Sequence, residues 1–161
     1  MTLSHVDESG RARMVDTGDK PISVRTAVAE GAVRMSAEAY RLLAEQALTK
    51  GDALAVSELA GTMAAKRTAE LIPLCHPVTL DHIDVRAEPD AALPGIRIRA
   101  AAKAVGRTGV EMEALTAAAV GCLTMYDMVK AVDRGAEIVM VRLVEKAGGR
   151  RGPWRRAQRD P

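Results

Sequence analysis

The stretch TGVEMEALTAAAVGCLTMYDMVKAVDRG, residues 108–135, decides how the rest of the chain must be arranged. Ala114, Leu115, Ala117, Ala118, Ala119, Val120, Cys122, Leu123, Met125, Met128 and Val129 leave hardly any polar face, and no proline interrupts them. Such a run reads as a helix from about Val110 to Asp133, and a helix that is apolar all round is covered all round. A sheet in a chain of 161 residues covers one side only. The other side is therefore predicted to meet a second copy of the chain, making a homo-oligomer.

Outward from this helix the apolar period changes from helical to alternating. Upstream, VTLDHIDVRAEP and GIRIRAAAKAV alternate every second residue across a short Pro/Gly-bearing connection, the pattern of an antiparallel hairpin. Downstream, EIVMVRLVEK reads as the last strand. Earlier in the chain, alternation from Val24 to Met35 predicts a strand with a bulge near Gly31. Ser36 caps a helix within SAEAYRLLAEQALTKG, and Asp52 caps another that ends at Pro73. In that second helix Val56, Leu59, Ala60, Met63, Ala64 and Leu71 form one apolar stripe.

Strand, helix, helix, strand, strand, helix, strand is the order of an α+β, ferredoxin-like two-layer sandwich, an antiparallel sheet with helices on one face. A single domain spanning residues 1–161 is expected, with an extended arm over 1–20 and a flexible, irregular basic tail over 148–161.

Composition narrows the function classes. With 48% hydrophobic residues but no Phe, one Trp and two Tyr, the interior must be filled by Ala, Val, Leu and Met, which implies close helix packing. A net charge of +2 from 23 basic and 21 acidic residues gives no global attraction to nucleic acid or membrane, so any anion site is local. Two cysteines and three histidines, His5 among them, show no metal-ligand spacing, and neither a structural metal nor a disulfide is expected. The opening MTLSHVDESG lacks the regions of a secretory signal, and no apolar run approaches membrane-spanning length, which points to a cytoplasmic protein.

Few residues stand out for chemistry, and each also has an ordinary role. Asp127 and Lys130 share a face where the apolar helix emerges, as a solvated ion pair or as a proton-transfer couple with perturbed acidity. Glu111 and Glu113 sit in the first turn, where the helix dipole favours acids. Glu113 and Asp127 lie about 21 Å apart along the axis, so they serve distant parts of a large ligand or belong to a site built by two subunits. The Leu74-Cys75-His76-Pro77 turn offers an imidazole as acid or base, while Cys75 has no evident base partner. Lys50 and Lys66 are cations that could meet phosphates, with no Gly-rich phosphate loop in the chain. Arg150, Arg151, Arg155, Arg156 and Arg159 read as a solvated tail, since only Trp154 is available for base stacking.

Two long segments, KRTAELIPLCHP at 66–77 and the 108–135 stretch, closely resemble cyclic pyranopterin monophosphate synthases, the molybdenum cofactor biosynthesis protein C family. RMVD at 13–16, the KGD beginning at Lys50 and the closing VRL, EK and GG extend the resemblance over nearly the whole chain. The Arg-rich end departs from the pattern.

The resemblance implies a lyase that converts 3′,8-cyclo-7,8-dihydroguanosine 5′-triphosphate to cyclic pyranopterin monophosphate and pyrophosphate, its substrate supplied by a radical SAM GTP cyclase. It implies a homohexamer, a trimer of dimers with active sites at the dimer interface. Leu74, Cys75, His76, Met112 and Glu113, with Glu111, fall at substrate-binding positions, Asp127 at that of the acid/base, and Lys130 and Lys50 at catalytic lysines. His76 is expected to assist the proton transfers, and Lys50, Lys66 and Arg25 to offset phosphate charge. No resident cofactor is implied, although a divalent metal could accompany the triphosphate. A non-enzymatic nucleotide-sensing oligomer of the same fold is the alternative.

Overall fold

Both sequence-predicted caps are in place. The Ser36 hydroxyl accepts the Ala39 N–H at 3.2 Å, and the Asp52 carboxylate accepts that of Ala55 at 3.0 Å. They open helices α1 (Ala37–Ala44) and α2 (Ala53–Ala65). The computed structural model describes residues 9–150 and 152–157. His5, Arg151, Arg159 and the first eight positions of the arm lie outside these. A short helix α3 (Thr68–Leu71) and the long α4 (Glu111–Val129) complete the helical layer.

The strands are β1 (Ser23–Arg34), β2 (His82–Asp90), β3 (Gly95–Gly106), β4 (Glu137–Ala147) and the two-residue β5 (Trp154–Arg155). They form one sheet ordered β2-β3-β1-β4-β5 with every neighbour antiparallel. Without β5 this is the ferredoxin-like order, the predicted α+β sandwich. Ser23 pairs with Gly106 and Thr26 with Ala147, so the start of β1 and the ends of β3 and β4 share one edge of the sheet. There α4 begins. It ends at the opposite edge, beyond Asp127.

The core is made of small side chains, as composition requires. Ala29, Ile96, Ile98, Ala100, Ala114, Ala117, Ala118 and Cys122 are fully buried. A Cβ on Gly61 would lie 2.8 Å from the Ala117 carbonyl, so α2 rides directly on the backbone of α4. That contact reverses the predicted face of α2. Ala53, Ser57, Gly61, Ala64 and Ala65 are buried, whereas Val56, Leu59, Met63 and Leu71 of the expected stripe face outward. Close approach selects the smallest residues, not the most apolar ones.

Two further expectations need correction, and a third is located more finely. The predicted second helix breaks at Lys66–Arg67. There the buried Thr68 hydroxyl donates to the Ala64 and Ala65 carbonyls at 3.4 and 3.0 Å and takes the place of the regular ladder. The bulge expected near Gly31 falls just after it. The register shifts fall between Val28 and Ala29 and between Ala32 and Val33, while at Gly31 a Cβ would collide with the Cys122 sulfur as α4 crosses β1. The tail is not wholly irregular, because Trp154 and Arg155 pair with Lys146 and Glu145 along the edge of β4. Among the described residues no helix is long and apolar enough to cross a membrane.

Candidate functional site

At the edge where α4 starts, three loops and the Leu74–His76 turn enclose a cleft of about 480 Å³. The turn is fixed locally: the Ile72 carbonyl accepts the Cys75 N–H at 3.1 Å with Pro73 between them, a geometry that proline pre-sets. Of the sequence candidates, Arg25, Leu74, Cys75, His76, Glu111, Met112 and Glu113 all line this one cleft. The remaining walls come from the arm (Val15, Thr17, Lys20, Pro21), the β3–α4 loop (Arg107, Thr108, Gly109), the end of β4 (Lys146, Ala147) and the β4–β5 connection (Gly148 to Arg150).

The electrostatics favour an anion that also exchanges protons. Lys20, Arg25, Arg107, Lys146 and Arg150 face only two carboxylates, Glu111 and Glu113. Lys146 is partly neutralised by Glu111 at 3.4 Å. The first turn of α4 has no side-chain cap at Val110, so its N-terminal N–H groups and positive dipole end add to the field. Glu113 is 4% exposed. Burial raises its carboxyl above the ordinary glutamate value and repulsion from Glu111 adds to this, with a backbone hydrogen bond opposing. Burial, and then the charge of Glu113, push the Cys75 thiol upward, the opposite of what a thiolate nucleophile requires. The cleft therefore holds a carboxyl poised to carry a proton and an inert thiol beside it.

The other candidates sit at the far end of α4. Asp127 accepts from Lys130 Nζ at 2.6 Å and from Lys50 Nζ at 2.7 Å, and Lys50 also donates to the Asp127 carbonyl at 2.7 Å. The hydrogen bond from Lys130, then that from Lys50, lowers the Asp127 carboxyl to about 2, and the same pairing raises Lys130. Asp127 is thus held ionised between the two lysine side chains. All three side chains are well exposed, 54% for Asp127. About 21 Å of helix separates them from Glu113, and none of them lines the first cleft.

Lys66 is in a third place, a shallower cleft with Val78, Leu80, Asp81, His82 and Ile83. Sequence reasoning missed Lys20, Arg107 and Lys146 and set Arg150 aside in the solvated tail; the four are scattered along the chain. One signal was available: in a ferredoxin-like order the start of β1 and the ends of β3 and β4 meet at one edge, and these cations flank those strand ends. Among the described residues no group of three or more His, Cys, Asp or Glu could hold a metal ion.

Comparison with known proteins bears on what this arrangement serves. The MoaC family model matches residues 14–149. Proteins named cyclic pyranopterin monophosphate synthase are 58% identical in Brucella ovis and Brucella abortus and 57% identical in Brucella canis. Each match runs over 152 residues, 94% of this chain and 92% of the relative. With such similarity over nearly its full length, the chain belongs to the MoaC family.

Proposed function

We propose that this protein is a lyase of molybdenum-cofactor biosynthesis that turns 3′,8-cyclo-7,8-dihydroguanosine 5′-triphosphate into cyclic pyranopterin monophosphate and pyrophosphate. The observation that carries this is one cleft in which the family's LCHP turn, the Met112-Glu113 pair and the cations Lys20, Arg107, Lys146 and Arg150 converge. A triphosphate supplies the negative charge those cations call for. Rebuilding the purine as a pyranopterin requires several proton transfers, for which Glu113 and His76 stand ready. Closing the cyclic phosphate requires a sugar hydroxyl to attack the α-phosphate as pyrophosphate leaves, a step that fixed cations favour.

Lys50, Asp127 and Lys130 complete the site from a neighbouring copy. Within one chain they stand at the wrong end of α4, and a two-fold pairing of chains would bring each cluster to its partner's cleft. Asp127 holds the two lysine side chains in place until substrate engages them. The assembly we propose is a hexamer, a trimer of such dimers, working in the cytoplasm on substrate made by a radical SAM GTP cyclase. The outward-facing Val56, Leu59, Met63 and Leu123 supply apolar surface for contacts between copies. Any divalent ion would arrive on the triphosphate oxygens, and no resident cofactor takes part.

Incubation with the cyclised triphosphate tests the reaction: pyrophosphate and the cyclic monophosphate should appear in equal amounts. Tight binding without turnover would overturn the lyase assignment and leave a nucleotide sensor.

A further inference from the structure

We infer that Arg25 is a positioning residue and not a phosphate ligand: it gathers the three loops that carry Lys20, Arg107 and Arg150 into one polyphosphate cradle. The inference rests on the proposed triphosphate chemistry. It concerns how the chain's own cations are held.

Arg25 is the third residue of strand β1, 7% exposed. Its Nε donates to the Gly106 carbonyl at 3.2 Å, and its Nη2 to those of Pro21 and Arg107 at 3.4 Å each. Its remaining edge lies under the β4–β5 connection. A Cβ on Gly148 would come within 3.1 Å of Arg25 Cδ, and one on Gly149 would collide with Nη1. Both glycines have left-handed backbone, φ +90° and +84°, so they bend the chain down onto the guanidinium as few other residues could.

One side chain therefore touches all three loops, and each loop bears a cation that lines the cleft: Lys20 beside Pro21, Arg107 after Gly106, and Arg150 after Gly149. Among the described residues no ion pair involves any of these three, in contrast to Lys146, which Glu111 engages. Three like charges on irregular loops repel one another across a cleft. Unsupported, the loops would relax outward. A guanidinium presents its N–H groups in a rigid fork and satisfies several carbonyls at once, which a lysine ammonium on a flexible stem cannot reproduce. With three carbonyls and the glycine loop around it, the charge of Arg25 is turned toward the protein.

Inorganic tripolyphosphate is the probe, its binding measured by calorimetry at low ionic strength so that weakened variants stay measurable. Arg25→Lys keeps the charge and loses the fork. It should weaken binding roughly tenfold or more, the usual effect of losing hydrogen bonds to a charged group. Gly149→Ala keeps every charge, displaces the loop from Arg25, and should weaken binding in the same sense. In a Lys20→Ala, Arg107→Ala, Arg150→Ala background, adding Arg25→Lys should cost nothing more, because a residue that acts through others has no effect once they are gone. Near wild-type affinity in Arg25→Lys, or a full additional loss in the triple background, would overturn the positioning role and make Arg25 a direct ligand. Failure of the unmodified protein to bind tripolyphosphate would remove the cradle itself. Tripolyphosphate binding without turnover of the cyclised nucleotide would sink the proposed reaction and leave this inference standing.

Discussion

The two ends of α4 treat a carboxylate in opposite ways. At the first turn Glu113 is buried beside another acid, and its affinity for a proton rises. At the last turn Asp127 stands in the open between two ammoniums, and its carboxyl falls to about 2. One end can keep a proton and the other gives its carboxylate wholly to holding cations. The first end combines a buried carboxyl with cations in one cleft, the second adds an exposed aspartate with two lysines, and about 21 Å of helix stands between them. On the function proposed above, the two ends are complementary half-sites at opposite ends of one helix.

The most forceful way to break this comparison is at the exposed end. Asp127→Asn removes the anchor of Lys50 and Lys130 and should lower pyrophosphate release by about 10²–10⁴-fold, the range for losing a positioned proton-transfer system. The unfolding midpoint at pH 7 should hardly move, because the side chain is more than half exposed. Near wild-type turnover would show that the cluster is an ordinary surface ion pair.

At the buried end the expected loss is smaller and a gain in stability accompanies it. Glu113→Gln should slow turnover on the order of 10²-fold. The folded carboxyl has a raised pKa, so the stability of its neutral form is fully present below the unfolded value and is lost as pH rises through the folded one. The Gln variant should therefore melt higher than the parent at pH 7 and match it near pH 4. For Asp127 the sign is reversed and, with the side chain more than half exposed, the size is small: its depressed carboxyl contributes above the ordinary aspartate range and loses that contribution as pH falls toward about 2. Melting curves from pH 2 to 8 on both variants check the clear shift of Glu113→Gln against the slight one of Asp127→Asn. Equal shifts of one sign would dissolve the contrast.

Much of this architecture was legible in the sequence because short-range physics wrote it there. The caps at Ser36 and Asp52, the alternation in β3 and the apolar run of α4 are local signals, and the order of elements follows from them. The cluster of Leu74, Cys75, His76, Met112 and Glu113 was legible only as a resemblance, since nothing local brings residue 75 to residue 113. The inner face of α2 was misread because apolarity is a poor guide where two helices meet at backbone distance. Gly61, Ser57 and the alanines win that place by size, and Leu59 and Met63 are turned outward. Lys20 and Arg107 were passed over because each is unremarkable in its own stretch of chain, and Arg150 was read with the solvated tail. Only the antiparallel order makes them neighbours.

The spacer between the two ends gives the smallest expected effect. Gly61→Ala places a methyl against the Ala117 carbonyl and should destabilise the fold by about 1–3 kcal/mol, as overpacking does. Activity per folded molecule should stay near normal, which denaturant titration paired with initial rates will show. A loss of activity in fully folded protein would mean that α2 does more than brace α4.

The claim that the site is completed between copies is tested most directly by mixing two dead chains. His76→Ala spoils one half-site and Asp127→Asn the other, and each variant alone should release almost no pyrophosphate. Co-expressed at random, half of the pairs would be mixed and each mixed pair would hold one intact site, restoring roughly a quarter of wild-type activity if pairs are two-fold symmetric. Mixed oligomers, verified by two different affinity tags, that remain as inactive as either parent would contradict the account.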